Sequence, residues 1–282
     1  MSGLAGFWEA REIWREALLA SVLSGALLGF LGVWVVLRRT VFVSAALTQI
    51  STLGLIGALL LEERLGVAAE HLGVQLAVAI AFSVVGALVL GTMHGARRLP
   101  TEAGVGMSYV LAGAFVILGA NKLIHVAHDF GSMVFGNAVA VSLSDAMVIA
   151  GVTLVCATVH TVFQKELVFV SFDRETAEAM GMRARMWDGL LFFTIGLAIP
   201  PAARALGALP VFAFLTIPAS AALLLVSRLR PVLAIATVLG VVAAAGGYML
   251  SWIWQIPTGA TMVALAGLFV LPGGLLRLVR AS

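Results

Sequence analysis

The residues best equipped for ligand chemistry in this chain are His125, His128 and Asp129, in the run His125-Val126-Ala127-His128-Asp129. Two imidazoles three positions apart can face one way on a helical turn, and a neighbouring carboxylate would suit a divalent metal. The run follows Asn121 and Lys122 in a connection between apolar segments, where histidines are also commonly just solvated. A second polar group, Thr48, Gln49, Ser51 and Thr52, lies inside an apolar run, with Gln49 and Thr52 on one helical face. Unpaired polarity in hydrocarbon is costly, so such residues either line a pathway or knit helices together, and periodicity by itself favours the knitting. The third group is a polar island from Lys165 to Asp188 carrying nine charged residues. Within it, Asp173 stands at a helix N-cap position, Glu175 and Glu178 follow in the first turns, and Gly181 closes the pattern as a C-cap. That describes a short exposed helix, either an ordinary solvated loop or a surface that a soluble partner grips.

Other chemistry is excluded. Neither Lys122 nor Lys165 follows a glycine as a phosphate-binding loop requires, so the chain is not expected to hydrolyse nucleotide itself. The five histidines form no His-Glu-x-x-His arrangement, and the single cysteine, Cys156, cannot make an intrachain disulfide.

The elements that must position these groups are membrane spans. With 61% hydrophobic and 11% charged residues, 282 residues cannot cover themselves with a water-facing surface. Apolar runs of about 20 residues match a bilayer core of about 30 Å, and they lack the alternation of barrel strands. The expectation is an all-α, polytopic bundle of eight to nine spans, at residues 18–37, 44–61, 71–94, 104–120, 143–163, 187–203, 209–227, 232–254 and 259–279. Residues 1–17, with Trp8 and Trp14 among charges, read as an interfacial segment. Gly25, Gly29 and Gly32 give the first span a face of small residues that another helix can approach closely. If the Arg38-Arg39 end is cytoplasmic, that side collects twelve Lys and Arg residues against five on the other, which puts the N-terminus outside and the C-terminus inside. The net charge of +3 is distributed over these loops and implies no nucleic-acid partner.

Three stretches together resemble zinc- and manganese-type ABC transporter permeases. They are Gly32-Val33-Trp34-Val35-Val36-Leu37-Arg38-Arg39-Thr40 continuing to Ala46-Leu47-Thr48-Gln49 and Gly54, then Phe172-Asp173-x-Glu175-x-Ala177-x-x-x-Gly181, and a C-terminal third. That third comprises Leu206-Gly207-Ala208-Leu209, Phe214-Leu215-Thr216-Ile217-Pro218-Ala219-Ser220-Ala221, Gly246-Gly247 to Ser251 and Ile256-Pro257-Thr258-Gly259. The resemblance covers nearly the whole chain and implies a single permease domain over residues 1–282, in the plasma or inner membrane. It implies a transport subunit without catalytic residues or a resident cofactor, working as a homodimer. Separate ATPase subunits would bind ATP, and an external binding protein would deliver zinc or manganese. Phe172, Asp173, Glu175, Ala177 and Gly181 become the expected ATPase-coupling residues, and Thr48, Gln49, Asn137 and Gln255 the expected pathway.

The chain departs from the family pattern where Ala45 and Gln49 stand in place of an Asp and a His, and where Gln255 replaces a frequent acidic residue. Amides offer neutral oxygen and no charge, so this pathway should hold a bare divalent cation weakly. A secondary transporter or channel working alone is the main alternative, and a non-transporting scaffold or sensor is a second. The scarcity of carboxylates inside the spans argues against the first.

Overall fold

The structure is a computed structural model of the full chain, and it describes residues 7–8, 11–65, 72–92, 100–123 and 141–274. Among these residues every regular element is a helix. In chain order they are α1 (Arg11–Leu37), α2 (Val41–Leu65), α3 (Leu72–Thr92), α4 (Thr101–Ala120), α5 (Leu143–Val162) and α6 (Gln164–Phe172). There follow α7 (Arg174–Ala179), α8 (Ala184–Leu206), α9 (Ala208–Phe214), α10 (Ile217–Leu225), α11 (Leu229–Trp254) and α12 (Thr258–Leu268). Among the described residues eight helical stretches are long and apolar enough to cross a membrane, and a further apolar stretch, Thr258–Gly274, is shorter. The all-α bundle read from the sequence is therefore present.

Two expectations change in detail. The segment read as a separate interfacial helix is continuous with the first span: α1 starts at Arg11 and runs without a break to Leu37. Trp14 turns inward, stacked on Phe7 at 4.1 Å, and its indole N–H donates to the Phe7 carbonyl at 2.5 Å. The expected span at 209–227 is built from two helices, α9 and α10. Pro218 has no N–H to continue the ladder, and the Thr216 N–H bonds back to Ala213 instead, so the chain turns at Leu215–Thr216.

The chain divides into two compact units, neither continuous in sequence. The first takes Met1–Val41, Gly131–Thr153 and Ala202–Ser282, and the second takes Phe42–Phe130 and Leu154–Pro201. In the first, α1 and α11 are held backbone to backbone. A Cβ at Gly25 would lie 2.6 Å from the Gly240 carbonyl oxygen, one at Gly29 2.5 Å from the Ala236 carbonyl oxygen, and one at Gly32 2.5 Å from the Leu215 carbonyl oxygen. The small-residue face read from the sequence is thus used by two partners, α11 and the α9–α10 turn. Arg204 pairs with Asp145 at 3.1 Å, and the same carboxylate accepts from the Ser142 hydroxyl at 2.8 Å, tying the end of α8 to the start of α5.

In the second unit the helices also meet at glycines: a Cβ at Gly54 would press on the Phe82 Cβ at 2.8 Å, and one at Gly91 on the Phe192 ring at 2.7 Å. Buried polar groups are held where α5 faces α8. His160 Nε2 lies 3.0 Å from the Thr194 hydroxyl, and the Cys156 thiol donates to the Thr194 carbonyl at 3.7 Å. Satisfying such groups across helices avoids leaving them bare at membrane depth.

Candidate functional site

The polar island folds into a bracket of three helices. A single residue, Phe163, separates α5 from α6, α7 is a turn and a half, and α8 re-enters apolar sequence. Asp173 caps α7: its side chain accepts from the Thr176 backbone N–H at 3.0 Å. The Thr176 side chain and then its backbone N–H hold the Asp173 carboxyl below its ordinary value. At the other end, Gly181 sits at φ +83, the Gly181 N–H bonds the Glu178 carbonyl, and the Met182 N–H reaches back to the Ala177 carbonyl at 3.0 Å. These two bonds are a Schellman closure, which needs a residue free to take a left-handed conformation. Both caps expected from the sequence are therefore formed, with Met180 as the cap residue and Gly181 one place beyond it.

A folded-state carboxyl held low adds stability that is complete above its unfolded value and is lost as pH falls through the folded value. Backbone amide exchange at Thr176 should accordingly be protected at neutral pH and lose that protection on acidification below the usual carboxylate range. Asp173→Ala is expected to lose the protection at all pH values, while Asp173→Asn, which keeps an acceptor, retains it without the pH dependence. Hydrogen exchange followed by mass spectrometry measures both.

The expected coupling residues divide into two kinds. Phe172 (64% exposed), Asp173 and Glu175 are presented outward, and Met180 beside them is 71% exposed. Ala177 is 0% exposed and cannot touch a partner. It packs with Val170 and Ala184, against Phe169, Met182 and Trp187, and so fastens α7 to its neighbours. A residue pair not singled out from the sequence joins them: Arg174 donates to Asp188 at 2.6 Å and to Glu178 at 2.9 Å. The only sequence signal was a carboxylate at the mouth of a span, where a charge needs a partner.

The expected pathway residues are less uniform. In α2, Thr48 donates to the Ala45 carbonyl at 2.7 Å and Thr52 to the Thr48 carbonyl at 2.9 Å, so both hydroxyl protons are spent within the helix. Gln49 is half-buried, its Oε1 3.7 Å from where a Cβ at Gly113 would stand on α4. Gln255 is exposed in the α11–α12 turn, in a left-handed conformation at φ 53, and its amide donates to the Trp252 carbonyl at 2.7 Å. Its side chain is engaged in closing that helix. Thr48 and Gln49 belong to the second unit and Gln255 to the first. His125, His128, Asp129 and Asn137 lie outside the described residues, and no cluster of three or more metal-binding side chains occurs among the described ones.

Between two apolar spans the chain thus presents α7, a short helix capped at both ends with only Ala177 buried. The sequence profile of the ABC 3 transport family matches residues 10–276. The chain belongs to the ABC 3 transport family. It is 27% identical over 269 residues to the manganese transport system membrane protein MntC of Halalkalibacterium halodurans, covering 94% of this chain and 89% of that one. It is likewise 27% identical over 260 residues to the chelated iron transport system membrane protein YfeC of Yersinia pestis, covering 91% and 84%. Among solved structures it is similar to PsaBC from Streptococcus pneumoniae in complex with Fab, with a TM-score of 0.82, 23% identity and coverage of 96% and 95%. This family member is a multi-pass permease subunit of an ABC transporter in the plasma membrane, and the family's ATP hydrolysis takes place in a separate subunit.

Proposed function

We propose that the chain is the permease of an importer for a divalent first-row metal ion, with manganese as the first substrate to test and zinc as the second. Two copies would form the pathway, an external binding protein would deliver the ion, and ATPase subunits would dock on α7 from the cytoplasm. The observation that carries the reading is α7 itself. An ordinary solvated loop has no need of a short helix with an Asp cap and a Schellman closure, flanked by exposed Phe172 at the end of α6 and exposed Met180 at its own C-cap. Exposed apolar side chains rimmed by charge are what a partner's groove receives.

Manganese comes first for a chemical reason as well as from the names of the relatives. Gln49, Thr48 and Thr52 supply only oxygen donors along α2, and oxygen suits manganese better than zinc. Neutral donors bind loosely, which is compatible with conduction because the ion must also leave. Radiometal uptake into proteoliposomes holding the complete complex tests the assignment. His125→Ala combined with His128→Ala is expected to impair uptake more than Gln49→Ala, and Gln49→His is expected to strengthen metal binding by the solubilised permease. If the complex hydrolyses ATP when its binding protein arrives with a different ligand and moves neither metal, the metal assignment falls and the permease assignment stands.

The orientation has its own test. In a Cys156→Ser background, single cysteines at Glu178 and His128 are expected to react with impermeant reagents from opposite sides of the membrane, Glu178 from the cytoplasm. Labelling from one side would overturn both the topology and the docking of α7.

A further inference from the structure

We infer that Arg174 and Asp188 form a positioning pair that carries movement of the docking helix α7 into the first turns of the spanning helix α8. The inference rests on the docking role proposed for α7 and adds the route by which docking acts.

Between α7 and α8 the backbone passes through Met180 to Arg183, a turn containing Gly181 at positive φ. Such a turn on its own is a compliant joint, since single torsions can absorb a displacement. Two features span it. One is the apolar contact of Ala177 with Ala184 and Val170. The other is the ion pair, in which Arg174 Nη1 stands 2.6 Å from Asp188 Oδ2 while Arg174 Nε bonds Glu178 at 2.9 Å. The guanidinium is thus held at two points, one on α7 and one on α8, and its planar fork fixes its direction.

The two ends of the pair differ in exposure. The Asp188 side chain is 11% exposed and that of Arg174 43%. Surface ion pairs contribute little because water readily competes for either partner, whereas a nearly buried carboxylate is poorly reached by water. Asp188 therefore holds on to Arg174 when α7 is displaced. Since Asp188 lies one turn into α8, a push on α7 arrives on the body of the span rather than at its frayed end.

The test uses the complete complex of permease, cognate ATPase subunits and binding protein in liposomes, with Asp188→Asn and Arg174→Lys compared with wild type. Lysine keeps the charge and loses the fork. ATPase co-purification, ATP hydrolysis and radioactive manganese uptake are read together. The expected result is an intact complex in which the ATP consumed per manganese ion rises several-fold for both variants, more for Asp188→Asn. An unchanged ratio in both assembled variants overturns the inference. Loss of the complex in both also overturns it, because the pair would then be building the docking surface rather than transmitting its motion. If only Asp188→Asn fails to assemble, the ratio for Arg174→Lys decides in the same two directions. A wild-type complex that never assembles overturns the docking role itself, which separates that failure from failure of the pair.

Discussion

Gly240→Ala is expected to destabilise the chain severely, whereas Gly267→Ala is expected to stabilise it slightly. Both exchanges place the same methyl group on a helix in the same unit, and on an isolated helix alanine is favoured over glycine by roughly 0.5–1 kcal/mol. At Gly267 the new methyl meets nothing within 4 Å, so that preference should appear nearly undiminished. At Gly240 it would be driven into the carbonyl oxygen of Gly25, a backbone atom that cannot rotate away. Relief requires α11 to move off α1, which separates the neighbouring contact of Gly29 with Ala236 as well. Overpacking of ordinary cores costs about 1–3 kcal/mol, and a backbone clash at a helix crossing belongs at or above the top of that range. Thermal unfolding of the detergent-solubilised permease, together with the yield of inserted protein, measures both variants. A Gly240→Ala protein as stable as wild type would mean that α1 and α11 do not cross at these glycines.

The second large effect concerns α7. Gly181→Pro is expected to abolish association with the ATPase subunits while leaving the permease inserted in the membrane. Proline fixes φ near −65°, far from the +83 found there, and removes the N–H that bonds Glu178. The Schellman closure is lost, and with it the path of the chain from α7 into Met182 and Ala184. Glu175→Lys tests the same surface without disturbing the backbone, since Glu175 is exposed and its charge faces outward. It is expected to weaken co-purification and stimulated hydrolysis by a large factor, with a stronger defect at low ionic strength, where charges are less screened. Normal assembly and stimulated hydrolysis in both variants would remove α7 from the coupling role.

The same chemistry separates what could be read from residues and what required the fold. Membrane class, helical architecture and the approximate spans were legible because hydrocarbon demands long apolar helices, a demand local to each segment. The caps of α7 were legible for a related reason: Asp173 with Thr176 and Gly181 with Glu178 are contacts within a few residues of chain. The small face of α1 could also be seen, though its partners could not, because periodicity says that Gly25 and Gly29 share a side without saying what lies against it. Only the tertiary structure decided that Gly240 and Ala236 fill that side. Only it turned Ala177 inward, ended α11 on Gln255 with its amide folded onto Trp252, and joined Arg174 to Asp188 across fourteen positions. The physical reason is common to all of these. A residue's type and its near neighbours fix the helix it joins and how that helix ends, whereas the partner of a side chain depends on which other helix packs against it. That choice is made by shape and by charge between segments far apart in the chain, and no short stretch of sequence contains both halves of it.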